Sequence, residues 1–307
     1  MAAPTNTYLT TAAIGNREDL SDAIYRISPT QTPVFTMATK AKATNTLHEW
    51  QTQDLAAAAS NNAQVEGDDA TAVAATPTVR LTNRTQILSK TASVSGSQEA
   101  MNSAGRKSEM AYQLSLKALE IRRDAETNLT QSDVLATAPR SFRGLRGWLV
   151  DNVNRNGGTL ASYTANTGYT AGTLRSFTES QVKDVLQQVF TAGGEPDTIM
   201  LPPTLKQTFS SFTGNATRMD KSEDKKLYAS VDVYVSDFGE LQAVPNRFMA
   251  TRDVFVLQAD KLAIAYLRPF MTIELAKTGD ADRRQILAEF TLEMRAPKSC
   301  GVVFDVQ

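Results

Sequence analysis

Apolar positions along this chain recur at two periods, separated by stretches with no period at all, and the changes divide it into parts. Residues 1–15 are mostly Thr, Ala and Asn, and predict an extended arm. Asn16 then caps a helix with Glu18 and Asp19 in its first turn. Leu20, Ile24 and Ile27 follow at helical spacing, and Pro29 stops it. Leu47–Trp50 reads as the start of a strand. Residues 54–77 carry almost no large apolar side chain, and Val79–Leu88 resumes as a Thr-rich strand. Two strands around a tip that cannot bury itself predict a projecting hairpin over residues 41–97. A two-stranded ribbon is marginal alone in water, so it needs a surface to lie on, and a neighbouring copy is the natural one. A plain surface loop is the other reading, although long structureless loops are uncommon without a function.

Ser95 and Gln98 have the spacing of a capping box and predict a short helix broken at Gly105. The strongest helical pattern runs over residues 108–130. Met110, Leu114, Ala118, Ile121, Ala125 and Leu129 form one apolar stripe, and Arg122 and Glu126 are placed together on the polar side. At 1.5 Å per residue it spans roughly 30 Å. A Gly/Asn/Thr-rich loop follows from Asn152 to Gly172. Thr178 and Gln181 form a second capping box, ahead of an apolar face of Val182, Val185, Leu186, Val189 and Phe190. Gly193 and Gly194 end that helix, Thr198–Leu201 is a short buried strand, and Pro202-Pro203 opens a new helix or turn. Val231, Val233 and Val235 alternate with Asp232 and Tyr234, the pattern of a strand with one wet face. Further strands are predicted at 253–258, 261–267, 271–276 and 284–295, the last with Ile286, Ala288, Phe290, Leu292 and Met294 on one face. Residues 300–306 close the chain as a strand. Helices and strands mix without a βαβα rhythm, so the class is α+β.

The chemistry is sparse. Lys and Arg total 32 and Asp and Glu 33, a balance unlike that of a dedicated nucleic-acid binder. The single cysteine, Cys300, excludes an intrachain disulfide and suits a reducing compartment. No signal peptide and no run of 18 apolar residues is visible. The single histidine, His48, sits in ordinary strand context, and with one Cys it makes a poor kit for zinc or acid–base work. Asp68 and Asp69 are adjacent carboxylates on the hairpin tip, without the fixed geometry that acid–base chemistry needs. No phosphate-binding Gly-rich loop or nucleophile elbow occurs. The reading is a non-enzyme with no cofactor and no metal. Arg140, Arg143 and Arg146 suit phosphate or acidic groups on another subunit, and the neutral balance favours the second.

The order of parts resembles the HK97-like capsid fold shared by tailed phages and encapsulins. Several stretches are similar, more narrowly, to SU10-type major head proteins. These are Ile27–Phe35, His48–Trp50 with Asp54-Leu55, Arg84–Ile87 with Val94–Gly96, Gly105–Lys107, Glu109, Tyr112-Gln113 and Arg122–Asp124. In the second lobe they are Val231–Tyr234, Ser236–Gly239, Leu267–Pro269, Leu275–Asp280 and Glu289–Glu293. The resemblance covers nearly the whole chain. It implies an N-arm with a short helix (1–40), an E-loop (41–97) and a peripheral domain (98–177) holding the spine helix 108–130. An axial domain (178–265) follows, with C-terminal strands (266–307) returning to the peripheral domain.

The resemblance implies a coat subunit that assembles with itself into hexamers and pentamers around double-stranded DNA, touched weakly and non-specifically. Its partners would be a portal protein and a separate scaffold, with room for decoration or cement proteins and no membrane. Assembly would take place in the bacterial cytoplasm. Another virion structural protein and an encapsulin-like compartment shell are the alternatives. The residues expected at contacts between subunits are Trp50, Asp54, Arg80, Arg84, Arg122, Arg143 and Arg146. Gly279 and Asp280 are expected to form a tight turn, with Gly at positive φ and Asp bonding backbone.

Overall fold

The computed structural model describes residues 30–67, 69, 74–101, 107–212 and 233–307. The predicted arm and first helix over 1–29, Asp68, the break at Gly105, and Val231 with Asp232 lie outside the described residues.

The elements, in chain order, begin with α1 (Pro33–Met37), β1 (Thr39–Lys42), β2 (Leu47–Thr52), β3 (Val79–Arg84) and β4 (Gln86–Ser95). Next come α2 (Gly96–Ala100), α3 (Glu109–Gln131), β5 (Ala136–Thr137), β6 (Arg140–Ser141), α4 (Leu145–Trp148) and β7 (Asn152–Asn154). The second half holds α5 (Glu179–Thr191), β8 (Thr198–Leu201), α6 (Pro203–Ser210), β9 (Val233–Ser236) and β10 (Gly239–Pro245). It ends with β11 (Val254–Leu257), β12 (Leu262–Glu274), β13 (Ala281–Met294) and β14 (Gly301–Val303).

Two sheets carry the architecture. One has four strands in the order β1-β12-β13-β4, and the other has six in the order β7-β14-β11-β8-β10-β9. The six-stranded sheet is covered on both faces over its middle. Val182, Val185, Leu186 and Val189 of α5 pack against Ile199, Leu201, Val254 and Val256 on one face. Met200, Phe255, Leu257 and Val302 point the other way, into a core with Ile121, Ala125 and Leu129 of α3 and Trp148 of α4. Every residue of β8 and β11 is therefore buried, which is why these segments read as unbroken apolar runs.

The 23-residue helix α3 matches its stripe closely: Met110, Ile121, Ala125 and Leu129 are buried. Ser108 caps it, its Oγ accepting from Ala111 N at 3.2 Å. At α5 the Gln181 side chain does the capping, its Oε1 accepting from Thr178 N at 3.2 Å.

Several expectations need correction. Residues 79–88 are two strands, not one: β3 and β4 break at Thr85 and lie in different sheets. Residues 261–276, read as two strands, hold the single strand β12 with two register shifts. The phase of β9 is inverted: Val233 and Val235 are exposed, while Tyr234 is 2% exposed and donates its hydroxyl to Glu179 Oε1 at 3.1 Å. That face of β9 looks toward α5, which offers an acceptor. Phe190, placed on the apolar face of α5, is 54% exposed and packs on Phe238 instead.

Glu126 is not on a polar face with Arg122. It is fully buried and accepts the backbone N–H groups of Val34 and Phe35 at 2.9 Å each. The lobe boundary also moves. A cut at 265/266 severs β12 (Leu262–Glu274), while β14 pairs with β11 and with β7 of the 98–177 segment in the six-stranded sheet.

Candidate assembly surfaces

The hairpin is rooted in six antiparallel pairs, from Leu47 with Arg84 to Thr52 with Val79. Its root is fastened to the body by polar and aromatic groups. Trp50 Nε1 donates to Met294 O at 2.9 Å, and its ring lies 5.4 Å from that of Trp148. His48 Nε2 is 2.8 Å from Glu293 Oε2. Asn83, fully buried, donates to the carbonyls of Arg143 and Leu292 and accepts from Arg143 N. Past Thr52 the described chain is exposed up to Val79, with Leu55 at 97% and Val65 at 76%. Residues 53–78 hold Asp54, Glu66, Asp68 and Asp69 and no basic side chain.

A second surface lies between α3 and the outer part of β12 and β13. It is a groove of about 620 Å³ lined by Ala118, Leu119, Phe270, Met271 and Ile286, with Arg122 on its wall. Phe270 and Met271 are each 36% exposed there. The exposed hairpin segment, acidic and carrying Leu55 and Val65, and this apolar groove with Arg122 on its wall have complementary chemistry.

The residues singled out from the sequence fall into three groups. Trp50, Arg143 and Arg146 are used inside the chain. Arg143 is 1% exposed, its guanidinium 5.1 Å from the Trp148 ring and donating to Asn166 Oδ1 at 2.9 Å; burial pushes its pKa down to about 10. It has no surface to offer a neighbour, because the 140–148 turn folds inward. Arg146 pairs with the buried Asp253 at 3.0 Å.

Asp54 pairs with Lys298, and Arg80 lies 3.6 Å from Glu49. Both are largely exposed pairs, open to exchange with an outside partner. Arg84 is half-buried on β3, and Arg122 is exposed with its guanidinium 5.7 Å from the Phe35 ring. Gly279 has φ 108°, and the Asp280 carbonyl accepts from Gly96 N at 3.2 Å.

Sequence reasoning missed the buried carboxylates Glu126, Asp253, Glu289 and Asp305. Glu289 left a trace, as an acid inside an apolar strand. The others left none, since their partners are distant in sequence.

Cys300 is 1% exposed, and burial raises its thiol pKa to about 11. Among the described residues no group of three or more His, Cys, Asp or Glu side chains could hold a metal ion, and no helix is long and apolar enough to cross a membrane.

Comparison with known proteins shows the family of the chain. A profile of the SU10 major capsid protein family matches residues 3–307. This chain belongs to that family. The major capsid protein of Escherichia phage Phieco32 is 30% identical over 332 residues, covering 94% of each chain. Solved structures agree on the fold. The capsid of a native GTA particle superposes with a TM-score of 0.67 at 10% identity, over 97% of this chain and 98% of that one. A Phage G assembly of major capsid and decoration proteins gives 0.57 at 10% identity, over 100% of both chains. The SU10-type chain thus has the HK97-like capsid fold and is a structural component of a tailed-phage virion, not an enzyme.

Proposed function

We infer that this SU10-family coat protein closes its shell as hexamers and pentamers in which the hairpin of each copy lies on the next. The observation that carries this reading is the hairpin itself: a firmly fastened root followed by an exposed acidic segment that carries Leu55 and Val65, which find no core in their own chain. The groove beside Arg122 is the surface whose chemistry suits them. Arm and groove are different patches, so the contact is heterologous and closes rings when the rotation allows. Contacts made by an arm are weak singly and multiply over many copies.

In this reading the shell encloses double-stranded DNA, and the near-neutral chain touches it weakly. Assembly takes place in the host cytoplasm with a portal protein and a separate scaffold. The decoration proteins of the Phage G assembly support an outer surface open to such partners. Paired cysteines at Leu55 and Thr272 test the arm contact. Oxidised shells should give disulfide-linked ladders on denaturing gels and dilute unassembled protein none; shells that give no ladder would remove this acceptor surface.

A further inference from the structure

The four-stranded sheet is irregular where the hairpin leaves it. β12 and β13 shift register between Tyr266 and Arg268 and again between Arg268 and Met271. Extra residues on one strand bend a sheet locally. Pro269 lies in that interval, beyond the last pairing of β1 with β12 at Lys42 and Tyr266, so no strand there needs its missing N–H. Across the bulge Arg268 pairs with Glu289, and Glu289 pairs with Ile87 of β4. Two residues before Ile87 stands Thr85, where the chain passes from the hairpin into the sheet.

The Glu289 side chain is 3% exposed and gathers these parts at one point. Thr85 Oγ1 donates to its Oε1 at 2.8 Å, and Arg140 Nη2 reaches the same oxygen at 2.8 Å. Arg268 holds Oε2 through both Nε and Nη2, each at 2.8 Å. Burial works against the charge, but the Thr85 hydroxyl and the two guanidiniums outweigh it and hold the carboxyl below its ordinary range. An apolar side chain often serves stability as well as a buried ion pair does. What a forked guanidinium on a carboxylate adds is orientation.

We propose that Glu289 is a positioning residue: by holding Thr85, Arg140 and Arg268 at one point, it sets the angle at which the hairpin leaves the body, and with it the curvature of the shell. The inference rests on the arm reading above. The lever is long enough to matter. Six ladder residues span about 20 Å, so a tilt of roughly 10° at the root moves the far end by about 3.5 Å.

Spin labels at Val79→Cys, on the outer end of β3, and Gln187→Cys, on α5, report the angle in the unassembled full chain. Both sites are exposed while Cys300 is buried. Electron microscopy of shells reports the consequence. The variants are Glu289→Gln, Arg140→Gln and, as a control, a Leu292→Val core variant compared at equal loss of melting temperature.

The expected result is a shifted or broadened label distance for Glu289→Gln and Arg140→Gln. The single shell diameter should give way to several diameters or open sheets, with the core variant normal in both respects. Unchanged distances, or changed distances with shells of one normal diameter, overturn the proposal. If Glu289→Gln does not fold, Arg140→Gln decides by the same two criteria. Wild-type chains whose arms do not touch a neighbour would instead sink the arm reading, which the disulfide ladder shows separately.

Discussion

Glu126, about three-quarters of the way along the spine helix, accepts the backbone N–H of Val34 at 2.9 Å, tying residues 92 positions apart. The same carboxylate takes the N–H of Phe35 at 2.9 Å and Asn246 Nδ2 at 2.6 Å. It thereby caps α1 and joins the start of the described chain to the loop after β10. Burial raises its pKa, and these three donors act to lower it. Glu126→Ala leaves three buried donors without an acceptor. It should cost on the order of 3 kcal/mol, read as a lower denaturant midpoint. A variant within about 0.5 kcal/mol of wild type would show that water replaces the carboxylate and that the tie is dispensable.

Asp253 makes stability depend on pH. It is fully buried, and desolvation lifts its pKa to about 6 from 3.8, against the pull of Arg146. A folded-state pKa above the unfolded one means the native state holds the proton more tightly. The stabilisation from this group is complete below about 3.8, and is lost as pH rises through about 6. Wild type should therefore gain stability relative to Asp253→Asn between pH 7 and pH 5, by paired thermal melts. Parallel curves for the two proteins would mean that Arg146 keeps Asp253 ionised throughout.

Gly279 sits at φ 108° between β12 and β13, with open space where a Cβ would stand. The obstacle to a side chain is the backbone conformation alone, and a β-branched residue meets it worst. Gly279→Val should lower stability by roughly 1–3 kcal/mol. An unchanged melting temperature would show that the turn relaxes to another conformation at no cost.

Much of this fold was legible in the sequence because its signals are local. The stripe of α3 repeats over six positions, and the two capping patterns start helices where they should. Ile286, Ala288, Phe290, Leu292 and Met294 of β13 share one core, as their spacing predicts. What was hidden depends on distant partners. Tyr234 turns inward because Glu179 of α5 meets its hydroxyl, and Thr85 divides one strand-like run because Glu289 holds it. Arg143, chosen for the surface from charge alone, is enclosed by Trp148 and Asn166. The hairpin could be read for the opposite reason: residues 54–77 carry too few large apolar side chains to build a core of their own.

Removing the exposed part of the hairpin separates folding from assembly. Deletion of residues 56–74 spares the β2–β3 pairs, Trp50 and Asn83, so the chain should remain folded, with a melting temperature near that of wild type. Stable shells should not form. Normal shells from the deletion would mean that the arm is decoration and that closure rests on other surfaces.

Electron microscopy of the purified full-length chain, alone and with a lysate of its source, tests the central claim most directly. The account predicts capsomer rings or closed shells of uniform size. A chain that stays monomeric in both conditions, at every concentration tried, would contradict it.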